Sequence, residues 1–321
     1  MSTEPNQLIK TRLHIRNRNR ERYDLEALLK VNPELQDYIK PNKRGEDSVD
    51  FSDPKSVKVL NRALLNQYYG IKSWEFPNAN LCPPIPGRAD YLHYAADLLA
   101  ENNAGEIPKG NMIKCLDIGV GASCIYPIIG VTEYDWDFIG SDIDPKSIES
   151  ADEIVKSNPT LKDKVSHVLQ KDQDKIFDGV IGNEDKTDIV ICNPPFHSTA
   201  SEAKKVSKRK VRNLTGKKLG NLTLNFSGKP GELVYPGGEY GFIQNMITQS
   251  ANHAGNVLWF TTLVSKQANL RGIYKSLDNI GAKKVETIPM GTGNKSSRIV
   301  AWTFLSKQEQ REWRDERWSE V

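Results

Sequence analysis

The sequence holds no hydrophobic run near the roughly 18 residues that a membrane-spanning helix needs, and its opening stretch, MSTEPNQLIK, lacks the apolar centre of a secretion signal. Membrane insertion and secretion are therefore not expected, and a cytoplasmic location is. Cysteine is scarce: Cys82, Cys115, Cys124 and Cys192 are widely spaced, form no C-x-x-C pair and lie within or beside apolar stretches. That pattern disfavours a disulfide framework or a cysteine zinc site and suits reduced thiols used as small buried hydrophobes. Net charge is almost absent as well, with 44 Lys plus Arg against 41 Asp plus Glu, a balance of +3. Taken whole, that balance gives no sign of a nucleic-acid partner.

The 321 residues, 38% hydrophobic and 26% charged, describe a soluble globular protein. Such a length buries a full α/β core and leaves about a hundred residues for an appended element. The charge divides unevenly along it. From Asn193 to Pro230 there are nine basic residues (Lys204, Lys205, Lys208, Arg209, Lys210, Arg212, Lys217, Lys218 and Lys229) and one acid, Glu202, a net of +8, so the remainder carries −5.

Through about residue 105 the spacing is mostly helical, with apolar positions at Leu25, Leu28, Leu29 and again at Val57, Leu60, Leu64, Leu65. Asn32-Pro33, Pro41, Pro54 and the run Cys82-Pro83-Pro84-Ile85-Pro86-Gly87 interrupt it. The proline run predicts an extended stretch followed by a helix over Arg88–Ala100. From Met112 onward short apolar strands alternate with helices, the pattern of a parallel sheet with crossover connections. Strands are predicted at Ile113–Ile118, Asp137–Ser141, Val165–Leu169, Asp188–Cys192, Asn256–Leu263, Lys284–Ile288 and Ile299–Leu305, which together make one doubly wound, mostly parallel sheet. Asp144 caps a helix with Pro145 in its first turn and Ile148, Ala151 and Val155 as its buried stripe. The span from Asn193 to Tyr240 carries the basic cluster among many glycines and prolines, and so long a stretch without regular structure is usually functional or disordered. The tail from Lys307 to Glu320, with Trp313 and Trp318 among mixed charges, reads as a surface helix.

Two strand ends carry chemistry. The first strand runs into Asp117-Ile118-Gly119-Val120-Gly121-Ala122-Ser123, where glycines let the backbone approach a ligand closely. About 20 residues on, the second strand ends in Ser141-Asp142, a carboxylate placed to accept from ribose hydroxyls. A dinucleotide fingerprint would have a third glycine where Cys124 stands, and Asp117 suits a cationic ligand better than a pyrophosphate. S-adenosylmethionine, with its sulfonium and ammonium, fits; the plain alternative is a tight strand-to-helix turn. The fourth strand ends in Asn193-Pro194-Pro195-Phe196. Two prolines fix the backbone and remove two N–H donors, so the Asn193 side-chain oxygen and the Pro194 carbonyl can accept from both hydrogens of a planar amine and favour its pyramidalisation. Phe196 could stack on the base, a contact worth about 1–3 kcal/mol in nucleic-acid sites. No strong general base is required, since the amine can lose its proton after the methyl arrives. The plain alternative is a rigid turn with a core phenylalanine.

Asp117-Ile-Gly-Val-Gly-Ala-Ser-Cys-Ile-Tyr-Pro127, Asn193-Pro-Pro-Phe-His197 and Gly237-Gly-Glu239 with Phe242 resemble the class I, S-adenosylmethionine-dependent adenine N(6)-methyltransferases that act on structured RNA. The sequence is most similar to the bacterial large-subunit (23S) ribosomal RNA members, because the likeness continues through Arg16-Asn-Arg18, Arg22-Tyr-Asp24, Val31-Asn-Pro-Glu-Leu35, Ser48-Val-Asp-Phe51 and Pro86-Gly-Arg-Ala-Asp-Tyr91. The eukaryotic U6 small nuclear RNA methyltransferase shares the core motifs. The resemblance implies a Rossmann-like fold in which Gly119, Gly121 and Ser123 line the methionine end of the cofactor, Asp142 holds the ribose, Arg88 reaches the cofactor carboxylate, and Asn193 to Phe196 receive the adenine. Asp172 falls where the eukaryotic relative has a threonine and is a candidate adenine contact. The implied layout is a mainly helical N-terminal RNA-binding or accessory region at 1–105, a methyltransferase domain at 106–306 with a basic substrate loop at 197–238, and a C-terminal helix at 307–321.

Lys204, Lys205, Lys208, Arg209, Lys210 and Arg212 follow the tetrad directly and make a candidate phosphate-binding arm. Arg16 and Arg18 belong to a second candidate, Arg12 to Arg22, in which every second residue is basic and which, if extended, would track a nucleic-acid backbone. His197 has no nearby acid or cysteine in sequence that would make it a metal ligand, His93 reads as a packing histidine, and Glu239 as a helix cap. The expected partners are ribosomal RNA or a large-subunit precursor, with no metal, no membrane and a monomeric protein. The target adenine must be unpaired or flipped out. Two other functions share these motifs in part: methylation of a protein glutamine amide, where tyrosine tends to follow the prolines, and a non-catalytic RNA-binding assembly factor.

Overall fold

Short buried strands separated by amphipathic helices close into one seven-stranded sheet in the computed structural model, which describes residues 13–42, 45–51, 53–199, 201–202, 233–292 and 295–318. Ahead of the sheet come α1 (Leu25–Val31), a single 3-10 segment, a small hairpin of β1 (Ile39–Pro41) and β2 (Asp47–Val49), α2 (Pro54–Tyr69) and α3 (Ile85–Asn102). Each start has a local cause. Asp24 and Asp53 accept backbone N–H groups of the first turns of α1 and α2, and Gly70, in the left-handed conformation at φ 68°, ends α2. Helix α3 begins three residues earlier than the sequence predicts, because Pro86 falls in its first turn, where a missing N–H costs nothing.

The sheet then follows in the order β3 (Lys114–Ile118), α4 (Ile125–Tyr134), β4 (Asp137–Asp142), α5 (Pro145–Lys156), β5 (Val165–Leu169), β6 (Thr187–Cys192), α6 (Gly238–Ser250), β7 (Val257–Val264), α7 (Leu270–Asn279), β8 (Lys284–Thr292), β9 (Lys295–Thr303) and α8 (Lys307–Arg317). Spatially the strands run β5-β4-β3-β6-β7-β9-β8, parallel through β7 and antiparallel on both sides of β9. Every residue of β6 and β7 is buried, which explains why they read as continuous apolar runs rather than alternating ones. The chain order reverses between β3 and β6, the place where open α/β sheets bind ligands.

The region at 1–105 does not have a core to itself. Leu65, Trp74, Ile85, Tyr91 and Leu92 belong to the same buried cluster as Ile113, Ile125, Ile128 and Trp259, while α1, the 3-10 segment, β2 and the outward part of α2 share a separate cluster around Leu28, Leu35, Val49 and Leu60. His93 is buried and bonded to the Tyr134 hydroxyl, and burial holds its pKa down to about 3, so it packs as a neutral ring. Cys115, Cys124 and Cys192 are buried free thiols and Cys82 a half-buried one. No described helix is long and apolar enough to cross a membrane.

The surface helix expected at 307–321 is present over Lys307–Arg317 with most of its residues exposed, and one face of it is docked on the core. A capping box of Ser306 and Glu309 starts α8, but Trp313, Trp318 and Gln310 are buried. Both indole N–H groups donate to Oδ1 of Asp188, at 2.7 and 2.9 Å, while Arg317 and the Lys114 amide donate to the same fully buried carboxylate. Asp188 is the second residue of β6, so α8 is fastened to the end of this central strand opposite the one that carries the tetrad. Asp188→Ala leaves those donors without an acceptor and is expected to cost about 3–5 kcal/mol in urea unfolding followed by tryptophan fluorescence. A loss below about 1 kcal/mol would mean that α8 docks by apolar contact alone.

Candidate active site

Strands β3 and β6 are paired in parallel up to Ile118 and Cys192, so the glycine loop and the Asn-Pro-Pro-Phe tetrad leave the sheet side by side. Together they line a cavity of about 510 Å³ whose wall includes Gly119, Gly121, Ser123, Asp142, Asn193, Pro194 and Pro195, with Arg88 and Tyr126 on one side and Tyr235 and Phe242 on another.

The glycine loop is fastened from several directions. Gly119 and Gly121 take φ of 76° and 65°, which a side chain would strain. The Gly119 and Val120 amides donate to the Ser141 carbonyl, and the Gly121 amide donates to Asp142 Oδ2 at 3.0 Å. Trp74 donates its indole N–H to the Ser123 carbonyl at 2.8 Å, and Ser150 donates to the Ala122 carbonyl. Cys124 adopts the left-handed conformation at φ 50°, so the position where a third glycine was expected keeps a backbone that glycine favours. Its thiol lies 3.5 Å from His167, which in turn pairs with Asp152 at 2.7 Å.

Asp142 is half-buried at the end of β4 and its Oδ1 also accepts from the Asp144 amide. Asp117 is fully buried, and neither of its oxygens has a hydrogen-bond partner. Burial pushes its pKa up to about 8; the Arg88 charge opposes that and the Asp142 charge adds to it. Arg88, in the first turns of α3, donates to the Tyr126 hydroxyl at 2.7 Å with its guanidinium over that ring, while its buried Nε has no partner. Asn193 Oδ1 is likewise buried without a partner. Arg88 and Asn193 line the cavity, where an incoming ligand would satisfy them, while Asp117 is not part of the wall and immediately precedes the wall residue Ile118.

The far wall comes from the chain after the basic segment. The His197 amide donates to Leu233 and the Tyr235 amide donates to the His197 carbonyl, so the chain returns beside the tetrad. A Cβ on Gly238 (φ 63°) would come within 3.2 Å of the Ser198 nitrogen and 3.3 Å of the His197 carbonyl carbon, which accounts for glycine at that approach. Tyr235 and Phe242 stand edge to face at 5.1 Å.

Several expected residues are placed differently. Asp172 is exposed and outside the cavity wall, where Gln170, Gln173 and Asp174 stand instead; its carboxylate accepts from the Asp174 amide within its own turn. Phe196 is half-buried and not part of that wall, whose aromatic rings come from Tyr126, Tyr235 and Phe242. Arg16 and Arg18 do not line an extended edge. Their segment turns at Asn17 and Arg20, and the two guanidinium groups are engaged by the protein itself: Arg16 by Asp97, the His93 carbonyl and Tyr134, Arg18 by Glu133 and the Tyr68 carbonyl. Glu239 does not cap its own helix; its buried carboxylate accepts from the Ser265 and Lys266 amides and from Asn269, holding the loop after β7. Lys204, Lys205, Lys208, Arg209, Lys210 and Arg212 lie outside the described residues. Trp74, in the stretch between α2 and α3, and Tyr91, on α3, support the site from sequence positions far away, and only their aromatic character could have pointed to them.

A family model described as RNA methyltransferase matches residues 7–306. A ribosomal RNA large subunit methyltransferase F of Marinomonas sp. (strain MWYL1) is 49% identical, covering 99% of this chain and 98% of its own, and one of Flavobacterium johnsoniae is 52% identical, covering 95% and 97%. Among solved structures, the human Mettl16 catalytic domain in complex with the MAT2A 3'UTR hairpin 1 is 28% identical with a TM-score of 0.77, over 92% of this chain and 96% of that one. The N-terminal domain of human METTL16 in complex with SAH is 26% identical with a TM-score of 0.71, over 92% and 99%. Because the family model spans residues 7–306 and these relatives match nearly the whole chain, the chain belongs to this RNA methyltransferase family.

Proposed function

We propose that the protein transfers a methyl group from S-adenosyl-L-methionine to the N(6) amine of one adenine in large-subunit ribosomal RNA, acting in the cytoplasm on 23S RNA or a precursor particle. The observation that carries this reading is the buried, unpartnered Asn193 side-chain oxygen, which shares a cavity with the glycine loop. The names of the relatives support the ribosomal substrate.

The residues present fit the cofactor. A buried carboxylate with no donor at Asp117 suits an ammonium group, the partly unsatisfied Arg88 suits a carboxylate, and Asp142 suits ribose hydroxyls. Gly119, Gly121 and Ser123 would line the methionine end. When bound, S-adenosyl-L-methionine supplies an electrophilic methyl group on a sulfonium. The chain's own task is to hold the amine in line. Asn193 Oδ1 and the Pro194 carbonyl accept the two amine N–H groups, which draws the nitrogen lone pair out of conjugation with the ring and towards the methyl. Pro195 keeps that turn rigid, and Tyr235 and Phe242 offer the base a face to stack on, with Phe196 at the edge of the site. Excluding water around these acceptors strengthens them towards the charge that develops on nitrogen. The basic residues Lys204 to Arg212 would contact RNA phosphates; their place in sequence between Glu202 and Leu233, which both meet His197 just after the tetrad, supports that role.

Asn193→Ala is expected to abolish transfer of labelled methyl to unmodified large-subunit RNA while RNA affinity stays within about twofold; a large loss of affinity would contradict the division between acceptor and RNA-binding surfaces. A second outcome follows from Asp117. Its pKa lies near 8 without ligand, and a bound cation favours the carboxylate, so cofactor binding should release a proton and tighten as pH rises from about 6 towards 8. The ligand's own α-amine titrates at about 7.7–8.0, so the reading is the difference in pH slope between wild type and Asp117→Asn, measured by calorimetry. Identical slopes in the two proteins would remove Asp117 from the binding step.

A further inference from the structure

Strand β6 stops pairing with β7 at Val190, opposite Phe260, two residues before it ends at Cys192. On its other side it remains paired with β3 through Cys192. At and beyond that last pair, two side-chain hydroxyls reach the backbone of β6. The Cys192 amide donates to the Tyr91 hydroxyl at 3.1 Å, Tyr91 Oη lies 2.8 Å from Thr261 Oγ1, and Thr261 donates to the Val190 carbonyl at 2.7 Å. Each hydroxyl has a single proton. Thr261 directs its own to Val190, and the Tyr91 proton has two acceptors in reach, Thr261 Oγ1 at 2.8 Å and the Cys192 carbonyl at 3.4 Å, while Tyr91 Oη accepts from the Cys192 amide. Tyr91 and Thr261 together thus bridge the backbone of β6 at Cys192 and Val190.

Both side chains are fully buried, and Tyr91 comes from α3 rather than from any strand. Its hydroxyl meets the residue immediately before Asn193, yet Tyr91 is not part of the cavity wall. Its ring packs edge to face on Tyr126, at 5.5 Å, and Tyr126 accepts from Arg88. One side chain thus joins the amine-accepting side of the cavity to the side expected to hold the cofactor carboxylate.

We propose that Tyr91 is a positioning residue for methyl transfer: with Thr261 it holds the end of β6 apart from β7 and so fixes where the Asn193 oxygen and the Pro194 carbonyl stand. This rests on the methyl-transfer reading above. It gives the splayed end of β6 a cause, since an unbridged Cys192 amide would be drawn to whatever acceptor β7 could offer and would carry Asn193 with it.

Tyr91→Phe keeps the ring and removes only the hydroxyl, and Thr261→Val removes the next link. Three readings separate positioning from general support: single-turnover transfer to large-subunit RNA, affinity for S-adenosylhomocysteine, and hydrogen exchange of the Cys192 amide. Tyr91→Phe is expected to slow transfer on the order of a hundredfold, to leave cofactor affinity within about twofold and to speed exchange at Cys192. The double variant should be no slower than the worse single one, because both break the same bridge. A Tyr91→Phe protein that transfers within about twofold of the wild-type rate overturns the proposal, as does a fall in cofactor affinity that matches the fall in rate. Should Tyr91→Phe fail to fold, Thr261→Val carries the same test. If the wild type transfers no methyl to RNA, the methyl-transfer reading fails instead, while unchanged exchange at Cys192 would still overturn the role given to Tyr91.

Discussion

The parallel pairing of β3 with β6 is the constraint on which the site depends. Because the two strands end level, at Ile118 and Cys192, the loop that begins at Gly119 and the tetrad that begins at Asn193 emerge as neighbours. The connections then diverge: β3 leads through α4 to β4, and β6 leads on to α6 and β7, on its other side. That divergence opens the cavity. The groups that the two strand ends place there are backbone or short side chains, so their precision comes from the sheet.

A site of this kind keeps polar atoms buried without partners, and that is costly in a folded chain. Asp117 and Asn193 are such groups, and the surrounding structure holds them in place. Trp74 fixes the glycine loop from the N-terminal side, Tyr91 fixes the end of β6 from α3, and Glu239 fixes the loop beyond β7 from α6. At the opposite end of β6, Asp188 gathers donors from α8 and β3. The N-terminal region therefore serves the site as scaffold, sharing the core of the sheet, whatever else it contacts.

Much of this was legible in the sequence because it is local. Strand positions follow from short apolar runs, and six of the seven begin within one residue of their prediction, while β9 begins four residues earlier because its hairpin with β8 extends through polar residues. The glycine loop and the tetrad are contiguous and could be read directly. What failed was long-range. The alternating arginines suggested an extended edge, but the turns at Asn17 and Arg20 and the acids Asp97 and Glu133, some 80 and 115 positions away, make Arg16 and Arg18 internal braces. The tail is the expected surface helix over most of its residues, but nothing nearby in sequence reveals its docked face, where Asp188, 125 positions earlier, accepts both indoles. Tyr91 is one aromatic among many in a helix, and only the position of Cys192 in space gives its hydroxyl a task.

The central claim is that the buried acceptors at the end of β6 receive an adenine amine of large-subunit ribosomal RNA. Mass spectrometry of that RNA from cells with and without this protein tests it most directly. The account predicts one N(6)-methyladenosine present in the first and missing from the second, restored by the wild-type protein and not by Asn193→Ala. The same modifications in both RNAs would contradict it.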